Sequence, residues 1–314
     1  MKSARILTVG CASMDMVLKM SRVPGAGETV LDYDGGLIHI PGGKGASCAV
    51  AAAKLGAESL LCARLGADAN GKSLYDTYTE YKVNTSYIKV DRATSTGMAA
   101  IILEGSGVNR TVVYPGANRT LAVEDVAEAI SSRPDALCLQ FETPFEVTLE
   151  AAKMAAARGI PVVLDASPAD PHIPFSEFPM IEIFSPNERE TEIYTGIVPT
   201  GADTCMRAAL ALSRMVKAKY YVLKLGARGA FIFDGRLCHM VPSYKVGAID
   251  STAAGDAFTA AMTVAYCENG CTDILGAVKF ANAVGALTVT RIGASRSIPT
   301  RDEVEQFIIQ QGAL

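Results

Sequence analysis

The sequence predicts an α/β fold in which a doubly wound, mostly parallel sheet carries helices on both faces, together with a small separate β-sheet. Strand-like and helix-like segments alternate along most of the 314 residues, which is typical of parallel sheets covered by crossover helices. Glycine-rich or polar loops follow several of the strands, where such sheets bind ligands. Two stretches, at about 18–40 and 95–114, contain short strands and turns without a helix.

The alternation can be followed in order along the chain. It begins with RILTVG as a strand and KGASCAVAAAKLGA as a helix, followed by SLLCARLG as a strand and NGKSLYDTYTEYKV as a helix. It resumes with ALCLQFE, FEVTLEAAKMAAARG and PVVLDAS as strand, helix and strand. IEIFSPN and YYVLKLG are further strands, and NERETEIYTG, MRAALALSRMV, FTAAMTVAYC and SIPTRDEVEQFIIQ are helices. Right-handed crossovers would bring the carboxyl ends of the parallel strands to one edge.

The two stretches without helices predict a lid. The segment GMAAIILEGSGVNRTVVYPG has the pattern of a hairpin that turns at GSGVN, and a small β-layer attached to an α/β body is a common lid. The chain has no internal repeat, low-complexity tract or linker. We therefore expect one domain over 1–314, with a lid formed by about 18–40 and 95–114.

Composition excludes several classes of function. The net charge is −4, which argues against nucleic acid or an anionic membrane as the main partner. No segment approaches 18 uninterrupted apolar residues, and the start, MKSARILTVG, lacks a signal-peptide pattern. Eight cysteines are scattered without metal-site spacing, which favours buried free thiols in a reducing cytoplasm: Cys11, Cys48, Cys62, Cys138, Cys205, Cys238, Cys267 and Cys271.

One motif predicts a different nucleotide site. GADANGKS, at 66–73, matches the P-loop pattern, which would make Lys72 a phosphate ligand and Ser73 a magnesium ligand. PVVLD, ending at Asp165, could pose as its partner strand. Against this, Asp68 would put a carboxylate inside a loop that must cradle phosphates. The alternative is an ordinary helix start with Asn70 as its N-cap.

The stretch DSTAAGD, from Asp250 to Asp256, precedes a helix and has a stronger chemical interpretation. Its small residues leave backbone N–H groups uncovered, and such groups at a helix start bind anions. Asp256 would place a carboxylate beside that anion. PGGKGAS, at 41–47, is a second glycine motif before a helix. SPNERE, at 185–190, and LGARG, at 225–229, lie at further strand ends.

These motifs resemble those of the ribokinase-like, PfkB carbohydrate kinase family. PGGKGAS is similar to its N-terminal signature, with Ser47 where the family has Asn, and DSTAAGD followed by AF is similar to its C-terminal signature. Asn187 and Glu190 fit the N-x-x-E motif between them. The resemblance covers nearly the whole chain and implies an ATP-dependent sugar kinase that uses ATP, Mg²⁺ and a K⁺-type cation.

The resemblance also implies a role for individual residues. Asp256 would be the general base, with an ordinary pKa of about 3.9, and the backbone N–H groups of Ala253, Ala254 and Gly255 would form the anion hole. The sugar would be bound by Ser13, Asp15, Gly42, Gly43, Lys44, Ser47 and Glu142. The nucleotide would be bound by Asn187, Glu190 (to Mg²⁺ through water), Lys224, which replaces a family Thr, Gly226, Gly229, Gly255 and Asn282. The monovalent cation would be bound by Asp250, Thr252, Ser297 and backbone carbonyls near Thr288, Arg291 and Gly293.

The sequence leaves the sugar and the assembly open. Ser13 and Ser47 replace asparagines that contact sugar in the family, so a larger or different sugar than D-ribose could fit. A fructose or nucleoside kinase of the same fold is the alternative, and a P-loop NTPase using Lys72 is a further one. Apolar residues on the lid predict a homodimer through the lids, the alternative being a lid that folds onto its own body.

Overall fold

The protein contains two β-sheets in the computed structural model, which describes residues 3–104 and 109–312. The strands are β1 (Arg5–Val9), β2 (Ser13–Met20), β3 (Gly36–Gly42), β4 (Glu58–Gly66), β5 (Ile88–Asp91), β6 (Gly97–Glu104), β7 (Asn109–Tyr114), β8 (Ala136–Leu139), β9 (Val162–Asp165), β10 (Ile181–Ser185), β11 (Ala218–Lys224), β12 (Ala230–Phe233) and β13 (Cys238–Val241). The helices are α1 (Lys44–Lys54), α2 (Ala69–Glu80), α3 (Val123–Ile130), α4 (Phe145–Ala156), α5 (Glu188–Thr195), α6 (Ala202–Met215), α7 (Ala254–Glu268), α8 (Ile274–Thr288), α9 (Ala294–Ser297) and α10 (Arg301–Gln310).

The larger sheet has nine strands in the order β13-β12-β11-β10-β9-β8-β1-β4-β5. The seven strands from β11 to β5 are parallel to their neighbours, whereas β12 and β13 pair antiparallel at one edge. This confirms the predicted parallel sheet. The antiparallel hairpin of β12 and β13 was missed, because AFIF and CHMV are too short to separate from the mixed stretch around them.

Helices cover both faces of this sheet because its strands are apolar on both sides. Leu7 packs in a core cluster with α3, α4 and α6, and its neighbour Ile6 packs in a second cluster with α1, α7, α8 and α10. Consecutive strand residues point to opposite faces, so a nearly continuous apolar strand requires two such layers. The sequence analysis did not identify α3 or α8.

The smaller sheet has four strands in the order β3-β2-β6-β7. Strand β2 pairs parallel with β6 and antiparallel with β3. The sheet begins at Ser13, five residues before the predicted start of the lid, because β2 follows almost directly from β1. Most of the predicted turn GSGVN, namely 105–108, lies outside the described residues.

The start of α2 does not have the geometry of a phosphate-binding loop. Asp68, rather than the predicted Asn70, is its N-cap, and the Asp68 carboxylate accepts hydrogen bonds from the Gly71 N–H at 2.8 Å and from Thr96. Lys72 is on the exposed side of the helix and forms an ion pair with Asp76 at 2.6 Å. The anion-binding position is thus occupied by the protein's own carboxylate.

Two further expectations can be compared with the structure. All eight cysteines are free thiols, but only five are buried; Cys238 is exposed and Cys267 and Cys271 are half-buried. The prediction of buried thiols was therefore wrong for these three. Within residues 3–104 and 109–312, no helix combines the length and apolar character needed to span a membrane.

Candidate active site at the carboxyl edge of the large sheet

A cavity of about 740 Å³ opens at the carboxyl ends of the parallel strands. Its walls come from the starts of α1, α5 and α7, the ends of β9 and β11, the loop after β13, and one side of α8. Parallel sheets bind ligands at this edge. Lys44, predicted to bind the sugar, lines the cavity together with most of the predicted nucleotide and catalytic residues: Asn187, Glu190, Lys224, Gly226, Gly229, Ala254, Gly255, Asp256 and Asn282.

The start of α7 has an unusual backbone. Ala253, its N-cap, has a left-handed conformation with φ of 62°, which costs a residue with a Cβ about 1–2 kcal/mol. The Ala254 N–H donates to the Ser251 carbonyl at 3.2 Å. The next N–H groups, of Gly255 and Asp256, belong to the first turn, whose donors have no acceptor within the helix. Of the predicted set 253–255, the Ala254 N–H is thus engaged within the loop, and the Gly255 N–H, with that of Asp256, is placed to receive an anion.

Asp256 lies beside this loop in a largely enclosed position, with 13% of its side chain exposed. Burial raises the pKa of Asp256 to about 7, the nearby Asp165 and Glu142 carboxylates add to this, and Lys44 and Lys224 oppose it. The expectation of an ordinary pKa was wrong, because burial outweighs the two cations. The Lys44 Nζ is 4.0 Å from the Asp256 carboxylate, and attraction to Asp256 is the main cause that raises the pKa of Lys44 above its usual range.

The start of α1 holds a second group of polar residues. Gly43 has φ of 90°, and a Cβ there would lie 2.9 Å from the Cys11 carbonyl. At Gly42 a Cβ would lie 2.3 Å from the Asp15 carboxylate. Only glycine therefore lets the PGGKGAS segment approach the end of β1 and the start of β2 so closely.

Three of the predicted sugar-binding residues, Ser13, Asp15 and Glu142, place polar side-chain groups near the start of α1. One Glu142 oxygen accepts from the Cys11 thiol at 2.5 Å and from the Lys44 N–H at 3.1 Å. Asp15 is half-buried, and its carboxylate accepts from the Ser13 hydroxyl at 3.3 Å. Burial raises the pKa of Asp15 to about 6, although the Ser13 hydrogen bond opposes it and Glu142 adds to it.

These residues do not line the 740 Å³ cavity itself, and Lys44 joins the two regions. Ser47 is buried, and its N–H donates to the Gly43 carbonyl at 2.9 Å within the first turn of α1. Cys11 was not predicted as a site residue, because a cysteine after a strand is usually a core residue.

Asn187 and Glu190 form a reciprocal cap at the start of α5. The Asn187 side chain accepts from the Glu190 N–H at 2.9 Å, and both Glu190 oxygens accept from Asn187, each at 2.7 Å. This fixes a carboxylate that is only 4% exposed in the cavity wall. Each carboxylate oxygen can accept a second hydrogen bond, so the group fits a water-mediated contact to Mg²⁺, which favours oxygen ligands and retains its waters.

The loop after β11 and the side of α8 enclose the far end of the cavity. Gly226 and Gly229 have φ of 55° and 95°, and a Cβ on Gly229 would lie 2.0 Å from the Val241 carbonyl. Asn282 is buried and donates to the carbonyls of Val241 and Pro242, at 3.0 and 3.2 Å. Asn282 also lines the cavity.

Lys224 forms a buried ion pair that the sequence analysis did not anticipate. Its Nζ is 2.5 Å from the Asp165 carboxylate, and the same oxygen accepts from the Thr259 hydroxyl at 2.7 Å. Both charged residues line the cavity. They end strands β9 and β11, which are separated by β10, so only the strand order brings them together.

The predicted cation residues lie on adjoining loops behind the start of α7. Asp250 accepts from the Thr252 hydroxyl at 2.6 Å and from the Gly293 N–H at 3.0 Å. Burial opposes its ionisation, but these hydrogen bonds outweigh burial and lower the pKa of Asp250.

The other predicted cation residues, Thr288, Arg291 and Ser297, lie before and after Gly293 in the sequence. Ser297 is buried and donates to the Ala294 carbonyl at 2.8 Å, and the Arg291 N–H donates to the Thr288 carbonyl at 3.3 Å. A carboxylate with nearby carbonyl oxygens is a donor set that suits a hard cation such as K⁺.

Comparison with known proteins agrees with this geometry. The defining pattern of the pfkB family of carbohydrate kinases matches residues 3–301. A ribokinase from Haemophilus influenzae is 34% identical over 97% of this chain and 98% of its own. Two solved structures are also similar.

The first is a ribokinase from Thermotoga maritima, with a TM-score of 0.83 and 32% identity over 98% of this chain and 99% of its own. The second is an Arabidopsis thaliana ribokinase complexed with ribose and ATP, with a TM-score of 0.87 and 29% identity over 98% and 99%. The fold, the cavity and these matches agree, and the chain belongs to the pfkB family of carbohydrate kinases, phosphotransferases that act on an alcohol group.

Proposed function

We propose that this protein transfers the γ-phosphoryl group of ATP to a hydroxymethyl group of a small sugar, with Asp256 as the general base. The observation that carries the proposal is the position of Asp256. It is a nearly enclosed carboxylate in the first turn of α7, beside two N–H groups without helical acceptors and 4.0 Å from Lys44.

The reaction follows from these positions. The sugar hydroxyl gives its proton to Asp256 while its oxygen forms the new bond to the γ-phosphorus, and the bond from that phosphorus to the β-phosphate oxygen breaks to release ADP. A sugar hydroxyl is far less acidic than Asp256, so the proton moves late, as the phosphorus is transferred. The N–H groups of Gly255 and Asp256 stabilise the charge on the transferred phosphoryl, and a donor of this kind typically contributes roughly 100- to 1000-fold in turnover.

The sugar binds next to the start of α1. Asp15 and Glu142 accept hydrogen bonds from sugar hydroxyls, and the Cys11 thiol and the Lys44 N–H fix the orientation of Glu142. These carboxylates disfavour a sugar that already carries a phosphate. Because the similar proteins described above are ribokinases, ribose is the first candidate, and a fructose or nucleoside kinase is the alternative.

The nucleotide binds between the start of α5 and the loop at Gly226 and Gly229, with Asn282 near the base. Glu190 and Asn187 would hold Mg²⁺ through water, and that ion would neutralise charge on the ATP phosphates. Asp250, Thr252 and Ser297, with carbonyls near Thr288, Arg291 and Gly293, would hold K⁺. Their hydrogen bonds tie the loop before α7 to the loop before α9, so this cation would fix the anion-binding N–H groups.

The small sheet serves as a lid and, we propose, as a dimer contact. Its apolar side chains Leu37, Ile38, Val112, Val113 and Tyr114 are 40–73% exposed, and exposed apolar surface of this kind favours a partner. Ile101 and Ile102 are half-buried, so the informative change is Val112→Lys. Light scattering at micromolar concentration should show a dimer that Val112→Lys dissociates; a monomer with full activity would contradict this assembly.

A panel of sugars and nucleosides, assayed by coupled detection of ADP with and without K⁺, tests the function. We expect turnover with a small free sugar, loss of it in Asn187→Ala and Glu190→Gln, and faster turnover in K⁺ than in Na⁺. ATP consumption without any sugar acceptor would contradict the proposed function. Equal turnover rates in K⁺, in Na⁺ and in buffer poor in both would contradict the proposed cation site.

A further inference from the structure

The buried ion pair of Lys224 and Asp165 lies in the wall of the cavity, a position that a purely structural pair does not need. The inference below rests on the proposed function, because it concerns the phosphoryl group that this site transfers. Lys224 ends β11 at the carboxyl edge, and its side chain is 11% exposed in the wall of the cavity. Asp165 is held from the other side by the Thr259 hydroxyl of α7.

The ammonium group of Lys224 faces the anion-binding loop. Its Nζ is 3.9 Å from the position that a Cβ on Gly255 would occupy. It is close enough to Asp256 to lower that residue's pKa. Lys224 therefore approaches the first turn of α7 from the sheet, and Lys44 approaches Asp256 from α1.

The pair also leaves hydrogen-bonding capacity unused. A lysine ammonium has three N–H donors, and Asp165 accepts one of them through a single oxygen, Oδ2. The other oxygen, Oδ1, is buried without a hydrogen-bond partner within the described structure. Burying two charges is costly unless their remaining groups are satisfied. A cavity wall with spare cationic donors is therefore suited to a polyanion.

We propose that Lys224 donates directly to the γ-phosphoryl group during transfer, and that Asp165 holds its ammonium group beside Gly255. Asp165 is a positioning residue, since it acts through Lys224. The cation complements the backbone donors of α7, because it approaches the same first turn from the end of β11. Charged donors form hydrogen bonds roughly twice as strong as neutral ones.

The test must separate this role from loss of folding, because removing one member of a buried pair leaves the other charge uncompensated. Four proteins are compared: the wild type, Lys224→Met, the double variant Asp165→Asn with Lys224→Met, and the control Lys219→Met. Lys219 is also on β11, forms an ion pair with Glu182 at 2.6 Å and is 45% exposed, away from the cavity. Each protein is measured for its thermal unfolding midpoint, its turnover, and its affinity for ADP and for the β,γ-imido analogue of ATP.

We expect the double variant to unfold close to the wild-type temperature and to bind ADP within about threefold of wild type. It should lose at least about tenfold in affinity for the ATP analogue and roughly 100- to 1000-fold in turnover. Lys219→Met should match the wild type in turnover and in both affinities, because Lys219 does not line the cavity.

Wild-type turnover in the double variant, or an equal loss of affinity for ADP and the ATP analogue, would overturn the proposal. If the wild type phosphorylates no sugar, the proposed function fails. The comparison of ADP with the ATP analogue still decides the position of Lys224.

Discussion

Helices α1 and α7 both begin at a residue with positive φ but carry opposite charges. Gly43 and Ala253, their N-caps, both have left-handed φ values, of 90° and 62°, and neither is capped by a side chain. The first turn of α1 contains Lys44, and the first turn of α7 contains Asp256. A helix start favours negative charge, so Lys44 is against the local field and Asp256 is with it.

The two loops contribute differently to the chemistry. Lys44 is tolerated because Asp256 lies 4.0 Å away and provides its countercharge. Asp256 is favoured by the dipole and by Lys44, yet burial still raises its pKa to about 7. The α7 loop thus has a base with a pKa near neutrality, where general-base catalysis is most effective, and the α1 loop supplies the cation that keeps it partly ionised.

The largest expected effect comes from removing the charge of α7. Asp256→Asn keeps the side chain's size and removes the base, so turnover should fall roughly 100- to 10,000-fold. Sugar affinity, measured by calorimetry, should stay within a few-fold of wild type. Near-normal phosphorylation by this variant would remove Asp256 from its role.

The next largest effect on activity is expected from removing the positive charge of Lys44, at the start of α1. Lys44→Met should raise the pKa of Asp256, because Lys44 is the main group that opposes its rise. At pH 7 less of the base is then ionised, so kcat/KM should fall by roughly tenfold and recover at higher pH. A uniform loss at every pH would show that Lys44 acts by binding substrate alone.

The two left-handed caps should respond differently to substitution. Gly43→Ala places a Cβ 2.9 Å from the Cys11 carbonyl in a left-handed residue, so it should cost about 2 kcal/mol of stability and weaken sugar binding. Ala253→Gly relieves its unfavourable φ and should change the unfolding free energy by less than about 1 kcal/mol. Chemical denaturation of both variants measures this; equal losses would contradict the backbone comparison.

The smallest effect is expected at the GADANGKS motif, residues 66–73. Lys72→Ala should leave turnover within about twofold, because Lys72 forms an exposed ion pair with Asp76 and such pairs contribute little. A folded Lys72→Ala protein without activity would revive the P-loop hypothesis.

The fold and much of the site were predictable because they depend on local patterns. DSTAAGD and PGGKGAS contain the small residues and charges that their helix starts require. The Lys224–Asp165 pair was not predictable, since its members end strands 59 residues apart and meet only through the order of the sheet. The raised pKa of Asp256 depends on burial by elements from across the chain. The N-cap of α2 was misplaced because Asp68 and Asn70 are both good caps, and contacts with Thr96 favour Asp68.

The central claim is that Asp256 is a base whose pKa burial brings to about 7. The most direct measurement is the pH dependence of kcat/KM for the sugar, which reports groups of the enzyme before the sugar binds. Ionised Asp256 is the active form, so kcat/KM should be level above about pH 8 and fall below about pH 7, with a slope steeper than tenfold per pH unit below about pH 6, where the sugar-binding Asp15 is protonated as well, at constant Mg²⁺ and K⁺. A profile that stays level down to pH 5 would show that the base titrates as an ordinary exposed aspartate and would contradict the account.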